Sequence, residues 1–408
     1  GEVAYSRNKN DEAKQAFSSA KTILDKLYKI QPENSELLKA LGANAFWLGQ
    51  LASDKAEFTL AKPHFEEYLS FSKLMNQLEP NSDEAKLELS YAYLAMGAVS
   101  SKLQDLTVAK VAFEKALAIQ YELTEDLPKT DMSQVDIADT LEWLAEIEEQ
   151  LGSLEQAVRT REKVQNIITD LLATHVGNAN LLESIAYSYL NNANVMYYLG
   201  LYKAAKQAVL SAKINLDKLL QQDPSNEIWQ LDLLRADIFE LHLMAVIHKA
   251  PYRQPITWTD FQNIIFKAKK FHSLIAIVIK NYQLGGDWAL AERAITLAKS
   301  KLEQLLRIQP GNHLLLTALS NVYLLAAKQD EHSQSQVGAV STTNMTTNSV
   351  KRQACQQTVN LLQPIVTDNS GYEVLLPFVQ AHDCLQQQDK VKQFVDKLAL
   401  MKIKNYSF

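Results

Sequence analysis

Residues 97–128 read GAVSSKLQDLTVAKVAFEKALAIQYELTEDLP. Ala109, Phe113 and Ala116 stand at i, i+4 and i+7, which is one face of a helix. Gly97 lies twelve residues before Ala109, Gln104 five before, Leu106 three before, and Pro128 nineteen after. A proline at that point ends a helix, because it lacks an N–H and drives the preceding residue out of the α region. A small residue at Gly97 lets two helices approach closely. A residue tolerant of positive φ suits the turn at Gln104, where glycine or asparagine is favoured.

The same marks recur through the chain. Anchor alanines stand at Ala13, Ala61, Ala109, Ala157 and Ala205, each 48 residues from the last, with a further one at Ala291. The i+4 and i+7 positions hold Phe17 and Ala20, Phe65 and Tyr68, Val209 and Ala212, and Ile295 and Ala298; they weaken to Arg161 and Val164 after Ala157. Nineteen residues after the anchors come Pro32, Pro80, Pro128, Pro224 and Pro310, with Val176–Gly177 replacing the one that is missing. Asn8, Ala56, Gln104, Gly152, Gly200 and Gly286 share the turn position. Phe58, Leu106, Leu154, Tyr202 and Trp288 stand three before the anchors, and Gly1, Gly49, Gly97, Ala145 and Ala193 hold the small-residue position.

This pattern resembles the tetratricopeptide repeat, a helix–turn–helix unit that usually spans about 34 residues. The period here is 48. Two extra turns in each helix account for the difference, giving helices of roughly 20–24 residues and ~30–36 Å. The resemblance implies an all-α fold, a right-handed superhelical solenoid of antiparallel helix pairs. The run LELSYAYLAMG at 87–97 and the ending KLALM at 397–401 look similar to repeat regions of large bacterial signalling proteins, in which a kinase or winged-helix output domain precedes the repeats. Gly1 already falls on the small-residue position, so the chain is read as a piece of a longer protein.

After Ala205 the next anchor is due at 253 but comes at 291. The regular array is therefore expected over 1–249, an irregular segment with one extra helix over 250–329, a polar flexible linker over 330–349, and capping helices over 350–408. The intermediate helices are placed at about 225–249, 259–283 and 286–309, and the last at about 350–363, 370–388 and 389–401.

Composition narrows the function classes. Of 408 residues, 47% are apolar, with only 12 Gly and 10 Pro, which disfavours an all-β fold. The formal net charge of −6 lacks the basic footprint of nucleic-acid binding. The longest candidate apolar run, Leu274 to Ile279, is too short to span a membrane. Cys355 and Cys384 cannot build a disulfide framework; placed about five residues out of level on helices meeting near Thr367, they read as two small core residues. No phosphate loop, Cys-x-x-Cys, His-Glu-x-x-His or nucleophile elbow occurs. No catalytic, metal or cofactor role is expected. A cleft near Trp258, His272, Tyr282 and Trp288 is the one place an enzyme reading could lodge.

The family turns the first helix of each pair toward its ligand. Carried over by phase, the resemblance implies partner-binding positions at Tyr91, Asp139, Glu142, Glu146, Glu149, Tyr187, Asn194 and Tyr197. Four carboxylates beside tyrosines suit a basic or aromatic peptide. A carboxylate clamp is not expected, since Phe46, Gln50, Leu94, Ala98, Glu142 and Glu146 hold its places, and Asn194 and Lys280 lie in different parts of the array. The expected function is protein–protein interaction, as the partner-sensing region of a bacterial signalling protein or as a free-standing scaffold for an envelope or secretion complex. Homodimerisation through end helices is compatible with either, and the compartment, cytoplasmic or periplasmic, stays open.

Overall fold

The computed structural model describes residues 1–126, 131–248, 257–266, 268–336, 347–368 and 370–403. Among these, the chain forms helices and no strand. In order they are α1 (Glu2–Ser6), α2 (Asn10–Tyr28), α3 (Ser35–Asp54), α4 (Phe58–Leu78), α5 (Asp83–Lys102), α6 (Leu106–Asp126), α7 (Asp131–Gln150), α8 (Leu154–Thr174) and α9 (Ala179–Tyr198). There follow α10 (Tyr202–Gln222), α11 (Glu227–His248), α12 (Trp258–Phe266), α13 (Ala268–Leu284), α14 (Trp288–Ile308), α15 (His313–Gln336), α16 (Thr347–Leu362), α17 (Tyr372–Cys384) and α18 (Lys392–Leu400). The fold is an all-α solenoid of helix pairs, as the period implied.

The period is kept by every element from α3 to α10. First helices begin at Ser35, Asp83, Asp131 and Ala179, and second helices at Phe58, Leu106, Leu154 and Tyr202, each 48 residues apart. They are 20 and 21 residues long respectively. The turn within each pair takes positive φ, at Asn8 (57°), Ala56 (58°), Gln104 (63°), Gly152 (80°), Gly200 (76°) and Gly286 (79°). Between pairs, a side chain two residues after the proline position caps the next helix. Asn34 Oδ1 accepts from Leu37 N at 2.9 Å, Ser82 Oγ from Ala85 N at 3.3 Å, Asn178 Oδ1 from Leu181 N at 3.2 Å, and Asn312 Oδ1 from Leu315 N at 3.1 Å. Pro128 and the 249–256 stretch lie outside the described residues.

The small-residue position has a steric cause. A Cβ at Gly49 would meet Phe65 Cε1 at 2.8 Å, and one at Gly97 would meet Phe113 Cε1 at 2.6 Å. Where the opposing residue is Val209 or Arg161 rather than Phe, the small position relaxes to Ala193 or Ala145.

By contact the chain forms two compact units. Unit 1 is Gly1–Glu148 with Arg159–Leu171, and unit 2 is Glu149–Val158 with Leu172–Phe408. The division thus runs through α7 and α8, not near 249 where the period breaks. In unit 1 the core is layered pair by pair, with Ala13 and Phe17 against Leu48, then Ala61 and Phe65 against Met96 and Val99. In unit 2 one large core joins Leu154, Val195, Phe261, Ile275, Leu319, Phe378 and Leu398.

Several expectations change in unit 2. The helix read over 259–283 is two elements, α12 and α13. The nine-residue α12 follows α11 where a second helix of 21 residues would stand, and it buries Phe261, Ile264 and Ile265. Its Trp258 ring lies under the Arg293 guanidinium of α14 at 4.4 Å. Helix α15 continues to Gln336, inside the segment read as linker, because that turn has tertiary partners. His332 stacks on Trp288 at 3.6 Å, and Glu331 pairs with Lys351. α16 begins at Thr347; residues 337–346 lie outside the described residues.

The cysteine expectation is overturned: Cys355 and Cys384 form a disulfide, with Cα atoms 6.3 Å apart. The level argument assumed that the two helices meet symmetrically at Thr367. The Cα separation is shorter than the roughly 7–8 Å rise that argument required, so the two helices do not meet symmetrically there.

Candidate functional site

The partner-binding residues implied by the repeat pattern divide between the units. Tyr91, Asp139, Glu142 and Glu146 belong to unit 1; Glu149, Tyr187, Asn194 and Tyr197 belong to unit 2. The two groups have different surroundings.

In unit 1, α7 presents Asp139, Trp143 and Glu146 at i, i+4 and i+7, one exposed stripe. Trp143 is 38% exposed while its ring stacks on Phe113 at 6.0 Å. Leu87 and Tyr91 stand one turn apart on α5, both 37% exposed. Tyr91 Oη donates to Asp136 Oδ2 at 3.5 Å. Loss of surrounding water raises the Asp136 carboxyl above its usual range. The Asp139 carboxyl is raised too, first by desolvation and then by the charges of Asp136 and Glu142. Each neighbour is one turn away, so both charges bear on Asp139. A bound cation would relieve it.

Glu142 has a structural duty that the sequence reading missed. Its Oε1 accepts from Arg161 Nε at 3.0 Å, and Arg161 is 2% exposed. Arg161 fills the position held by phenylalanine in the three preceding repeats, and a guanidinium there requires a counter-charge. The weakening of the pattern after Ala157 was the available signal. Glu148, 2% exposed, accepts from Thr160 Oγ1 at 2.7 Å, and burial raises its carboxyl. Phase alone offered no sign of it.

In unit 2 the chain fills its own first-helix face. Tyr372, at the start of α17 and 1% exposed, donates from Oη to Glu149 Oε1 at 2.7 Å. The same oxygen accepts from Asn194 Nδ2 at 3.4 Å, and the Tyr372 ring lies 4.6 Å from that of Tyr198. Gly371 comes so close that an added Cβ would stand 3.2 Å from the Gln150 carbonyl oxygen. Lys402 Nζ pairs with Glu155 at 2.7 Å. Tyr187 Oη donates to Asp232 Oδ2 at 2.6 Å, linking α9 to α11.

Tyr197 is held between two helices. Its hydroxyl lies 3.1 Å from His242 Nε2 and 3.3 Å from Lys280 Nζ. Burial, and then the charge of Lys280, pushes the His242 pKa down to about 3, so this ring is neutral. Lys280 thus reaches the hydroxyl of Tyr197, the residue one turn after Asn194 on α9, and the Asn194 amide serves Tyr372. Near the period break, Tyr282 Oη donates to the Thr257 carbonyl at 3.4 Å, and Trp258 and Trp288 have the separate partners given above. Among the described residues no helix is long and apolar enough to cross a membrane.

No family profile matches the sequence, and no curated protein matches it. Among solved structures the chain is similar to BtubC from P. vanneervenii, at 16% identity over 74% of this chain and 93% of that one, with a TM-score of 0.40. It is also similar to yeast Tom70, at 10% identity over 95% and 92% with a TM-score of 0.35. The human IFIT1 dimer with m7Gppp-AAAA aligns at 15% identity over 94% and 67%, with a TM-score of 0.30.

Proposed function

We propose that this chain is a protein-interaction module without catalytic activity, and that the acidic and aromatic stripe of unit 1 receives a basic peptide segment. What supports the reading is the pair of carboxyls raised by lost water, Asp136 and Asp139, the second also by its neighbours' charges, next to exposed Tyr91 and Trp143. A lysine or arginine there gains charge-assisted hydrogen bonds, and the rings supply apolar and cation–π contact for its stem. In unit 2 the buried Tyr372 covers Glu149 and Asn194, and His242 and Lys280 hold the Tyr197 hydroxyl, so the proposal is placed on the more exposed stripe of unit 1.

The test uses a fluorescent peptide of alternating lysine and tyrosine, titrated against the whole chain and against Asp139→Lys/Glu146→Lys. Glu142 and Glu149 are spared, since each holds a buried partner in the fold. The double reversal is expected to weaken binding by about tenfold or more, from two exposed charge contacts reversed in sign. Equal binding by both proteins removes unit 1 from consideration.

Two settings suit such a module: the partner-sensing region of a larger bacterial signalling protein, or a scaffold for an envelope or secretion complex. The Cys355–Cys384 disulfide favours the second, because disulfides persist in oxidising compartments such as the periplasm and are rare in the cytosol. Trapping the thiols in the source cell distinguishes them. A free-thiol chain in the cell would support the first setting, and an oxidised chain the second.

A further inference from the structure

Three first helices of unit 2 share a hydrogen-bonded relay that ends at one ammonium. Asn281 of α13, 6% exposed, donates from Nδ2 to the Ile238 carbonyl of α11 at 3.5 Å, which orients its amide. Its Oδ1 therefore faces His242 Nδ1, 3.1 Å away, as an acceptor. The His242 proton thus sits on Nδ1, and Nε2 keeps its lone pair. The Tyr197 hydroxyl of α9 donates to that nitrogen and accepts in turn from Lys280 Nζ of α13.

Buried polar groups are costly unless each is matched, and here each is matched up to the last. His242 is 2% exposed, so the relay is part of the interior. An ammonium has three N–H donors, and the Tyr197 oxygen takes one. Among the described residues Lys280 has no carboxylate partner for the other two. The relay fixes the place of this charge without neutralising it.

A second positive charge stands beside it. Gln283, one turn after Lys280, donates to the Leu325 carbonyl at 3.0 Å and to Gln329 Oε1 at 3.3 Å. That register of α13 on α15 brings Lys280 level with Lys328, one period of 48 further on. The Lys328 ammonium is pushed below its usual range, first by desolvation and then by the charge of Lys280. Glu331 offsets this less, and it also pairs with Lys351. Lysine acts as a point charge and lacks the planar fork with which arginine matches a carboxylate. Two such charges side by side match an oxyanion that itself carries two, as a phosphate monoester does near neutral pH.

We propose that Lys280 and Lys328 hold a dianionic phosphoryl group on the first-helix face of unit 2. Its oxygens accept from the two ammonium groups, and its charge supplies the counter-ion that Lys280 lacks. Free phosphate and a phosphorylated peptide share this chemistry. The site is independent of the basic-peptide stripe on unit 1, and either can fail without the other.

The experiment is NMR of the lysine ε positions on the whole oxidised chain, at constant ionic strength and near-neutral pH. The probes are inorganic phosphate, acetyl-Gly-phosphoserine-Gly-amide and acetate. Phosphate is expected to shift the Lys280 resonance and to bind about tenfold tighter than acetate, since its second charge also finds a partner. Lys280→Met and Lys328→Met keep the aliphatic stems and are each expected to weaken phosphate binding by about tenfold, the worth of one charge-assisted hydrogen bond. Lys218→Met removes the same charge from an exposed position on α10 and is expected to change nothing. Should a variant fail to fold, the titrations of the unaltered chain still decide. No shift at Lys280 overturns the proposal, as does an equal loss in Lys218→Met, which would mean unspecific attraction. Acetate binding as tight as phosphate overturns the phosphoryl group in favour of a carboxylate. Within the proposal, a peptide that binds tighter than phosphate assigns the group to a phosphorylated partner, and equal binding assigns it to free phosphate.

Discussion

Replacing Gly97 by alanine tests the steric logic of the repeat. The new Cβ would stand 2.6 Å from Phe113 Cε1 and 2.8 Å from Cδ1 and Cζ. Ordinary contact needs roughly 1 Å more, so the ring must retreat. It has little room, being 1% exposed and stacked against Trp143. Overpacking of this kind costs about 1–3 kcal/mol. Alanine also gains about 1 kcal/mol over glycine inside a helix, so the single variant should lose only about 0–2 kcal/mol net. Phe113→Val opens a cavity and should cost about 2–3 kcal/mol. The double variant reproduces the Ala193–Val209 combination that the fourth pair uses. In it the clash is gone but the helix gain remains. The coupling energy of the cycle therefore isolates the clash, at about 1–3 kcal/mol. Because a repeat array need not unfold in one step, hydrogen exchange of amides in α5 and α6 is the right readout beside urea unfolding. Additivity within about 0.5 kcal/mol would refute the reasoning.

Other perturbations probe separate features. Glu142→Gln removes the ion pair to the buried Arg161 guanidinium, and unfolding of unit 1 should become easier by about 2–3 kcal/mol, below the full buried-pair value because Glu142 is partly exposed. Ala56→Gly relieves a left-handed alanine and should stabilise by about 0.5–1 kcal/mol after the added freedom of the unfolded glycine is subtracted, as read from the urea midpoint. Asp139 is ionised at a cost in the folded state, so its native pKa lies above the unfolded one and folding is favoured as pH falls through that raised value. Asp139→Asn should thus be more stable than the parent at neutral pH, with the advantage disappearing in acid; an advantage that grew in acid would contradict the assignment. Cys384→Ser opens a crosslink of sequence separation 29 and should weaken unit 2 by about 3–4 kcal/mol, seen as earlier thermal melting that the reduced parent shares.

The regular half of the fold was legible because each mark has a single steric or conformational cause. Proline ends the second helix, a left-handed residue turns the pair, and glycine admits phenylalanine. The same reading passed over the Asn and Ser caps two residues beyond the prolines, although they repeat in phase and were there to be seen. Unit 2 was less legible because its order comes from contacts remote in sequence. Tyr372 reaches Glu149 across 223 positions, and no periodicity announces that. The site residues suffered from the same gap. Phase correctly placed Tyr91 and Asp139 on a first-helix face, but it could not tell an exposed carboxylate from Glu142, whose partner is one anomalous arginine in the next helix. Trp143 was passed over as well, though it lies between Asp139 and Glu146 on their own stripe.

The disulfide has a mechanical consequence. A chain pulled from its two ends pays out length as each helix pair gives way, at up to ~3.5 Å per residue. The covalent loop from Cys355 to Cys384 withholds its 29 steps from that extension, so about 100 Å of contour stays locked until the bond is reduced. Helix α17, which carries Tyr372, lies wholly inside the locked loop. Under tension the chain therefore keeps the covalent tie between α16 and α17 after the array around it has been drawn out. Phe394, set edge-to-face on Phe378, lies beyond the crosslink and would be drawn away with α18.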